Sequence, residues 1–225
     1  MWLRLLDSRD LDDITMDSYS DRAQSGFETE GYNRRGLWPW EREAFQSAID
    51  PFSHVLVAGA GGGREMIALA EMGHRVAGFD ASRDLVEACR GYLKRAGVKG
   101  IVHWTLPGTL PAGLQRYEAL VIGRGVYHHI PRQSRRVDFL RACRSLLGPG
   151  APLLLGDVMV TADHPQQRIC KGVEAGDFVG SAFFHRFTRA EIELELDQAG
   201  FALIDFRPTP FPGEETLAHA IARAR

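Results

Sequence analysis

Three groups of residues in this 225-residue chain have types and spacing suited to chemistry. The first is Gly59-Ala60-Gly61-Gly62-Gly63, which follows the apolar run His54–Ala58 and opens a segment of helical period ending at Met72. A strand that turns through glycines into a helix lets backbone approach a ligand closely, and the amides at the helix start favour an anionic group. The second is Asp80, about 20 residues on at the end of the next apolar run, where a carboxylate can accept hydrogen bonds from ribose hydroxyls. The third is Gly123-Arg124-Gly125 followed by Tyr127, His128 and His129. Histidine exchanges protons near neutral pH, so a general base is expected in this segment. Each group also has a plainer reading: a tight strand-to-helix turn, a helix-flanking acid, and histidines that bond loop backbone.

Placing these groups together requires a scaffold, and the periodicity supplies one. Apolar runs at 54–58, 74–80, 101–105, 117–122 and 153–160 alternate with segments of helical period. Ser82 can cap the helix whose Leu85, Cys89 and Leu93 share a stripe, and Val137, Leu140, Cys143 and Leu147 share another. Pro39 can open a helix to about Ile49. Thr188 and Glu191 form a capping-box pair opening a helix that Gly200 stops. Runs at 201–206 and 216–222 are joined by a loop, 208–213, too short for a crossover helix, so that pair is expected to be antiparallel. The chain thus reads as α/β: a doubly wound, mostly parallel seven-stranded sheet with an antiparallel terminal hairpin. Ligands on such sheets sit beyond the carboxyl ends of the strands, where all three groups fall.

A nicotinamide-binding domain shares the glycine turn but wants a third glycine for close helix–strand packing. That position is Arg64, which speaks against a dehydrogenase.

The segments VLVAGAGGGRE and HRVAGFDAS resemble the first two motifs of class I S-adenosylmethionine-dependent methyltransferases. GRGVYHHIP resembles their motif after the fourth strand, and HRFTRAEIELELDQAGF their last helix and strand; the likeness spans residues 53–222. The resemblance implies S-adenosylmethionine as cofactor, with residues 51–225 as the binding domain and residues 1–50 as an N-terminal cap segment. It assigns the cofactor to Gly59, Ala60, Gly61 and Gly63, with Asp80 on the ribose and Ala81, Thr105, Leu106, Gly123, Arg124 and His128 around it. Two departures stand out. Many members carry an acid two residues before the first glycine, where this chain has Val57, and another just after the third strand, where it reads Trp104-Thr105-Leu106-Pro107.

Methyl transfer from a sulfonium needs alignment above all, and a base if the accepting atom carries a proton. His129 is the first candidate, because the resemblance sets His128 nearer the cofactor. His185 is a third, if the stretch 161–187 folds over the cavity. Tyr19, Trp38, Tyr127 and Phe184 are candidate substrate contacts. Trp38, Trp40 and Tyr32 can pack on the adenosine or simply dock a helix, and Arg34 and Arg35 can pair a carboxylate or lie in solvent.

The 27 basic and 29 acidic residues leave a formal net charge of −2 with no block of one sign, so neither a nucleic-acid footprint nor a polybasic membrane patch is visible. Cys89, Cys143 and Cys170 have neither disulfide nor metal spacing, and no metal is expected. No apolar run reaches spanning length, and the short apolar start lacks the form of a signal peptide. A cytoplasmic protein is expected, and a homodimer is compatible with the chain. The expected activity is methyl transfer to an oxygen or nitrogen of a small molecule. The alternatives are a peptide or protein substrate, and a cofactor-binding regulatory module without turnover.

Overall fold

The computed structural model describes residues 6–22, 30–161, 174–209 and 217–225. Cys170, the stretch 162–173 and the 210–216 part of the terminal loop lie outside the described residues.

Three helices precede the sheet: α1 (Ser8–Arg22), α2 (Glu30–Arg34) and α3 (Pro39–Ala48). Helix α1 has no counterpart among the elements expected from the sequence. The Asp7 carboxylate accepts the amides of Arg9 and Asp10 at 2.8 and 2.9 Å, a side-chain cap on the first turn. Leu11, Thr15 and Ser18 then form its buried stripe. Only one of the three is apolar, which hides the helical period. Pro39 stands at the first turn of α3 as expected, where its missing N–H costs nothing.

The sheet elements alternate with helices: β1 (His54–Ala58), α4 (Arg64–Glu71), β2 (Arg75–Asp80), α5 (Arg83–Arg95), β3 (Gly100–Trp104), β4 (Ala119–Ile122), α6 (Gln133–Ser145) and β5 (Pro152–Met159). A short hairpin, β6 (Asp177–Val179) with β7 (Phe183–His185), precedes α7 (Arg189–Gln198), β8 (Phe201–Thr209) and β9 (Leu217–Ala224). That hairpin lies within the stretch 161–187, where no strand was expected. β4 begins at Ala119, not Tyr117, which makes a single bridge to Leu147. The capping box at Thr188 and Glu191 is present.

The seven-stranded sheet runs β3-β2-β1-β4-β5-β9-β8, with β9 antiparallel to both β5 and β8. Alternate residues of the central strands divide between two cores. Leu56, Leu120, Leu153 and Leu155 pack with Phe139, Leu140, Ile192 and Leu196 of α6 and α7. Val55, Val57, Val121 and Leu154 face the other way, onto Phe45, Leu69 and Leu93 of α3, α4 and α5. Each such side chain contributes roughly 1.5–3 kcal/mol of burial. The departure at Val57 is thus a core residue with no exposure.

Candidate active site

Chain connections diverge between neighbours β1 and β4, the switch point where ligands bind such sheets. A cavity of about 480 Å³ opens there, with Tyr19, Tyr32 and Trp38 of the N-terminal segment in its walls.

Its floor begins with the glycine loop. The amides of Gly59 and Ala60 both donate to the Phe79 carbonyl, at 2.8 and 3.0 Å, which bends the chain sharply out of β1. A side chain at Gly59, φ 72°, would strike Val126 Cγ2 at 2.0 Å, whereas the corresponding position at Gly61 meets nothing within 4 Å. Gly61 donates its amide to Asp80 Oδ2 at 2.8 Å, and Ser82 donates to Oδ1 at 2.8 Å. Burial raises the Asp80 carboxyl above its ordinary range, and the amides of Ser82, Gly61 and Ala81 pull it back. Ala60, Ala81, Thr105 and Leu106 also line the cavity.

Two glycines assigned to the cofactor lie outside the cavity wall. Gly63 is absent from the cavity wall; it opens α4 at φ 97°, and a Cβ there would meet Cys89 Sγ at 2.9 Å. Gly123 lies beneath the floor, where a Cβ would stand 2.7 Å from the Gly59 carbonyl oxygen. Gly62 lines the cavity in their stead, pressed by the Asn33 side chain of α2.

Arg64, in the place of the third Rossmann glycine, ties the start of α4 to α3 and to the chain just before it. Its guanidinium takes both oxygens of Glu41 at 2.6 Å and Glu65 at 2.5 Å in the interior, and the part-buried Gly36 carbonyl at 3.0 Å. Burial works against its charge, but Glu65 and Glu41 more than offset that and raise its proton affinity. Glu41 also accepts the Trp38 amide at 2.7 Å, tying this cluster to the start of α3. Trp38 and Arg35 stand at the cavity with the guanidinium 5.3 Å from the indole, whereas Trp40 turns away and stacks on His219 at 4.7 Å.

The turn at Tyr127–His129 sends one side chain into the core and two to the cavity. His128 and His129 reach the cavity together with Phe184, whose ring lies 5.7 and 4.9 Å from theirs. His128 Nδ1 accepts the Met159 amide at 3.3 Å. Burial, followed by His129, Arg124 and His185, holds His128 well below the usual histidine range and therefore neutral. His129 Nδ1 lies 2.6 Å from the Phe183 carbonyl oxygen, which can only accept, so that nitrogen carries the proton. Its Nε2 lies 2.9 Å from the Tyr19 hydroxyl.

Tyr127 corrects the substrate assignment. It is buried away from the cavity, stacked on Phe187 at 5.3 Å, with its hydroxyl donated to Glu195. Glu195 is paired in turn with Arg136 of α6 at 2.7 Å, so Tyr127 ties its turn to the ion pair that joins α6 to α7. His185 also turns away. Its Nδ1 pairs with Asp177 Oδ1 at 2.7 Å across the β6–β7 hairpin, and its ring meets Phe187 edge to face.

The residue-level reading missed Asp157, the buried carboxylate near the end of β5. Its Oδ1 accepts the Thr209 hydroxyl at 2.6 Å, and Arg124 Nε stands 3.4 Å from Oδ2 at the cavity wall. Burial pushes its carboxyl up to about 6. An acid inside the apolar strand PLLLGDVM was the signal available.

Residues 56–153 match a family model described as a methyltransferase domain. No curated protein matches the chain. Among solved structures, the 1,6-didemethyltoxoflavin-N1-methyltransferase of Burkholderia thailandensis, with 1,6-didemethyltoxoflavin and S-adenosylhomocysteine bound, is 18% identical, with a TM-score of 0.73 over 100% of this chain and 93% of that one. The magnesium protoporphyrin IX methyltransferase of Synechocystis PCC 6803, with bound S-adenosylmethionine, is 17% identical, with a TM-score of 0.66 and 100% of both chains covered. A glycopeptide N-methyltransferase complexed with S-adenosylmethionine is 16% identical, with a TM-score of 0.64 over 82% of this chain and 92% of that one. These likenesses are of fold. The residues present fit the same cofactor: a side-chain-free surface over Gly61, and a strand-end carboxylate beside it. No helix among the described residues is long and apolar enough to cross a membrane.

Proposed function

We propose that the chain is a class I S-adenosylmethionine-dependent methyltransferase that methylates an oxygen or nitrogen of a small molecule, with His129 as the ultimate proton acceptor. The observation that carries this reading is a single cavity shared by the glycine loop, Asp80 and the two histidines. S-adenosylmethionine supplies an electrophilic methyl on a sulfonium and leaves as a neutral thioether.

The chain's own contribution is alignment and proton removal. Asp80 would hold the ribose and the glycine turn the methionine part of the cofactor. His129, with Nδ1–H fixed on the Phe183 carbonyl, keeps its Nε2 lone pair on the side of Tyr19 and the cavity, as a base must. Residues 1–50 act as the cap of the 51–225 domain, and their Tyr19, Tyr32 and Trp38 narrow the cavity, which favours a compact substrate over a folded protein.

The test is transfer of labelled methyl from S-adenosylmethionine into the small-molecule fraction of an extract of cells that express the chain. Labelled small molecules are the expected result. Label confined to peptides or proteins would overturn the substrate class. Binding of S-adenosylhomocysteine without any transfer would make the chain a binding module.

A further inference from the structure

We propose that the accepting atom is a hydroxyl oxygen, and that Tyr19 is the catalytic residue that takes its proton and relays it to His129. This deepens the methyl-transfer reading and rests on it.

The argument is one of donors and acceptors. His129 Nδ1 must donate to the Phe183 carbonyl, so its Nε2 is a lone pair and the Tyr19 hydroxyl is the donor across their 2.9 Å contact. His128 has the opposite tautomer. Its Nδ1 accepts the Met159 amide, so its Nε2 carries the hydrogen. Both side chains converge above Gly125. The point where a Cβ would stand on that residue is 3.5 Å from the Tyr19 oxygen and 3.8 Å from His128 Nε2.

An N–H donor and a proton relay meeting at one point match a hydroxyl. Its oxygen has two lone pairs, one for the His128 N–H and one for the methyl carbon, and its proton faces Tyr19. An amine nitrogen has a single lone pair, which the methyl carbon consumes, and an ammonium has none. Either would leave the His128 N–H without an acceptor in a buried site, a costly arrangement.

Tyr19 is held for this task from two sides. Asp12 of α1 takes a two-pronged bond from Arg135 at 3.1 and 2.8 Å. Thr15 Oγ1 accepts the amide of Phe183 at 3.1 Å, the same residue whose carbonyl fixes His129.

The step balances. The substrate oxygen bonds to the methyl carbon as the carbon–sulfur bond breaks, the hydroxyl proton moves to the Tyr19 oxygen, and the proton of Tyr19 moves to His129 Nε2. The resulting imidazolium keeps its Nδ1–H on the Phe183 carbonyl.

The test has two arms. In the full chain with ¹⁵N-labelled histidine rings, saturated with S-adenosylhomocysteine, NMR should show His129 as the Nδ1–H tautomer and His128 as Nε2–H. Tyr19→Phe should move the His129 signals while leaving those of His128 and the S-adenosylhomocysteine affinity in place. Reversed tautomers would overturn the proposal. In the labelled-methyl assay the product should be a methyl ether, and Tyr19→Phe and His129→Gln should each lower the rate by roughly 10²-fold, with the double variant little worse than either. A nitrogen-bound methyl, or a Tyr19→Phe rate within about threefold of the wild type, would overturn it and leave methyl transfer standing. No labelled product from the wild-type chain would instead defeat the methyl-transfer reading beneath it.

Discussion

Asp80 Oδ2 accepts the amide of Gly61 at 2.8 Å, so the acid at the end of β2 and the turn after β1 form one unit. The sequence alone offers Asp80 as a ligand contact or a helix-flanking acid; in the fold it also fastens the loop.

Asp80→Ala should therefore have two effects. Affinity for S-adenosylhomocysteine should fall by about 1.5–3 kcal/mol, the range for bonds to a charged partner. Stability should fall by about 1–3 kcal/mol, because the amides of Gly61 and Ser82 lose their acceptor. Asp80→Asn keeps one acceptor oxygen and should lie between. Calorimetry and urea unfolding check the two separately. Unchanged stability would contradict the fastening role.

Glu41→Ala leaves the Arg64 guanidinium buried with Glu65 as its remaining carboxylate partner in that cluster. Removing one member of a buried ion pair costs about 3–5 kcal/mol, and urea unfolding should show a loss of that order. The same Arg64 fills the position where dinucleotide binding wants glycine. Calorimetry should therefore give heat with S-adenosylhomocysteine and none with NAD; the reverse would overturn the cofactor assignment.

Asp157 gives a pH signature with a definite sign. Its carboxyl titrates near 3.9 when unfolded and at about 6 in the fold. The folded chain thus holds the proton longer, and the stability from this group is full below pH 4 and lost as pH rises through 6. At about 1.4 kcal/mol per tenfold change in proton affinity, the loss approaches roughly 3 kcal/mol. Asp157→Asn cannot ionise. Its stability relative to the wild type should rise between pH 4 and 7, measured by thermal unfolding across that range. A constant difference would contradict the buried carboxylate.

Gly125→Ala places a methyl between Tyr19 and His128 on a backbone at φ 78°. The left-handed conformation should cost about 1–2 kcal/mol of stability. Turnover should fall at least tenfold while S-adenosylhomocysteine still binds, as calorimetry beside the label assay would show. Normal turnover would mean that the reacting oxygen sits elsewhere.

What the sequence made legible was local. The strand-to-helix turn at Gly59, the cap at Ser82 and the capping box at Thr188 each depend on residues within a few positions, and each stands where expected. What stayed hidden depends on direction or on distant partners. Tyr127, His128 and His129 are consecutive, yet one enters the core and two enter the cavity, because a tight turn rotates each side chain away from the last. His185 looked free to reach the cavity until Asp177, on the facing hairpin strand, claimed its ring. Helix α1 carries too few apolar residues to declare its face, so the meeting of Tyr19 with His129 was invisible along the chain. The departure after β3 is partly explained too: Trp104 Nε1 donates to the Ala81 carbonyl at 2.9 Å beneath the Arg83 guanidinium, 3.7 Å from its ring.

The measurement that tests the central claim most directly is the rate of labelled methyl transfer by the wild-type chain and by His129→Gln, each with its S-adenosylhomocysteine affinity determined alongside. The account predicts a labelled small molecule from the wild type and a rate about 10²–10⁴ lower in the variant, with affinity nearly unchanged. A variant as fast as the wild type would contradict the role of His129, and a wild type that binds the cofactor product but transfers nothing would contradict the enzyme.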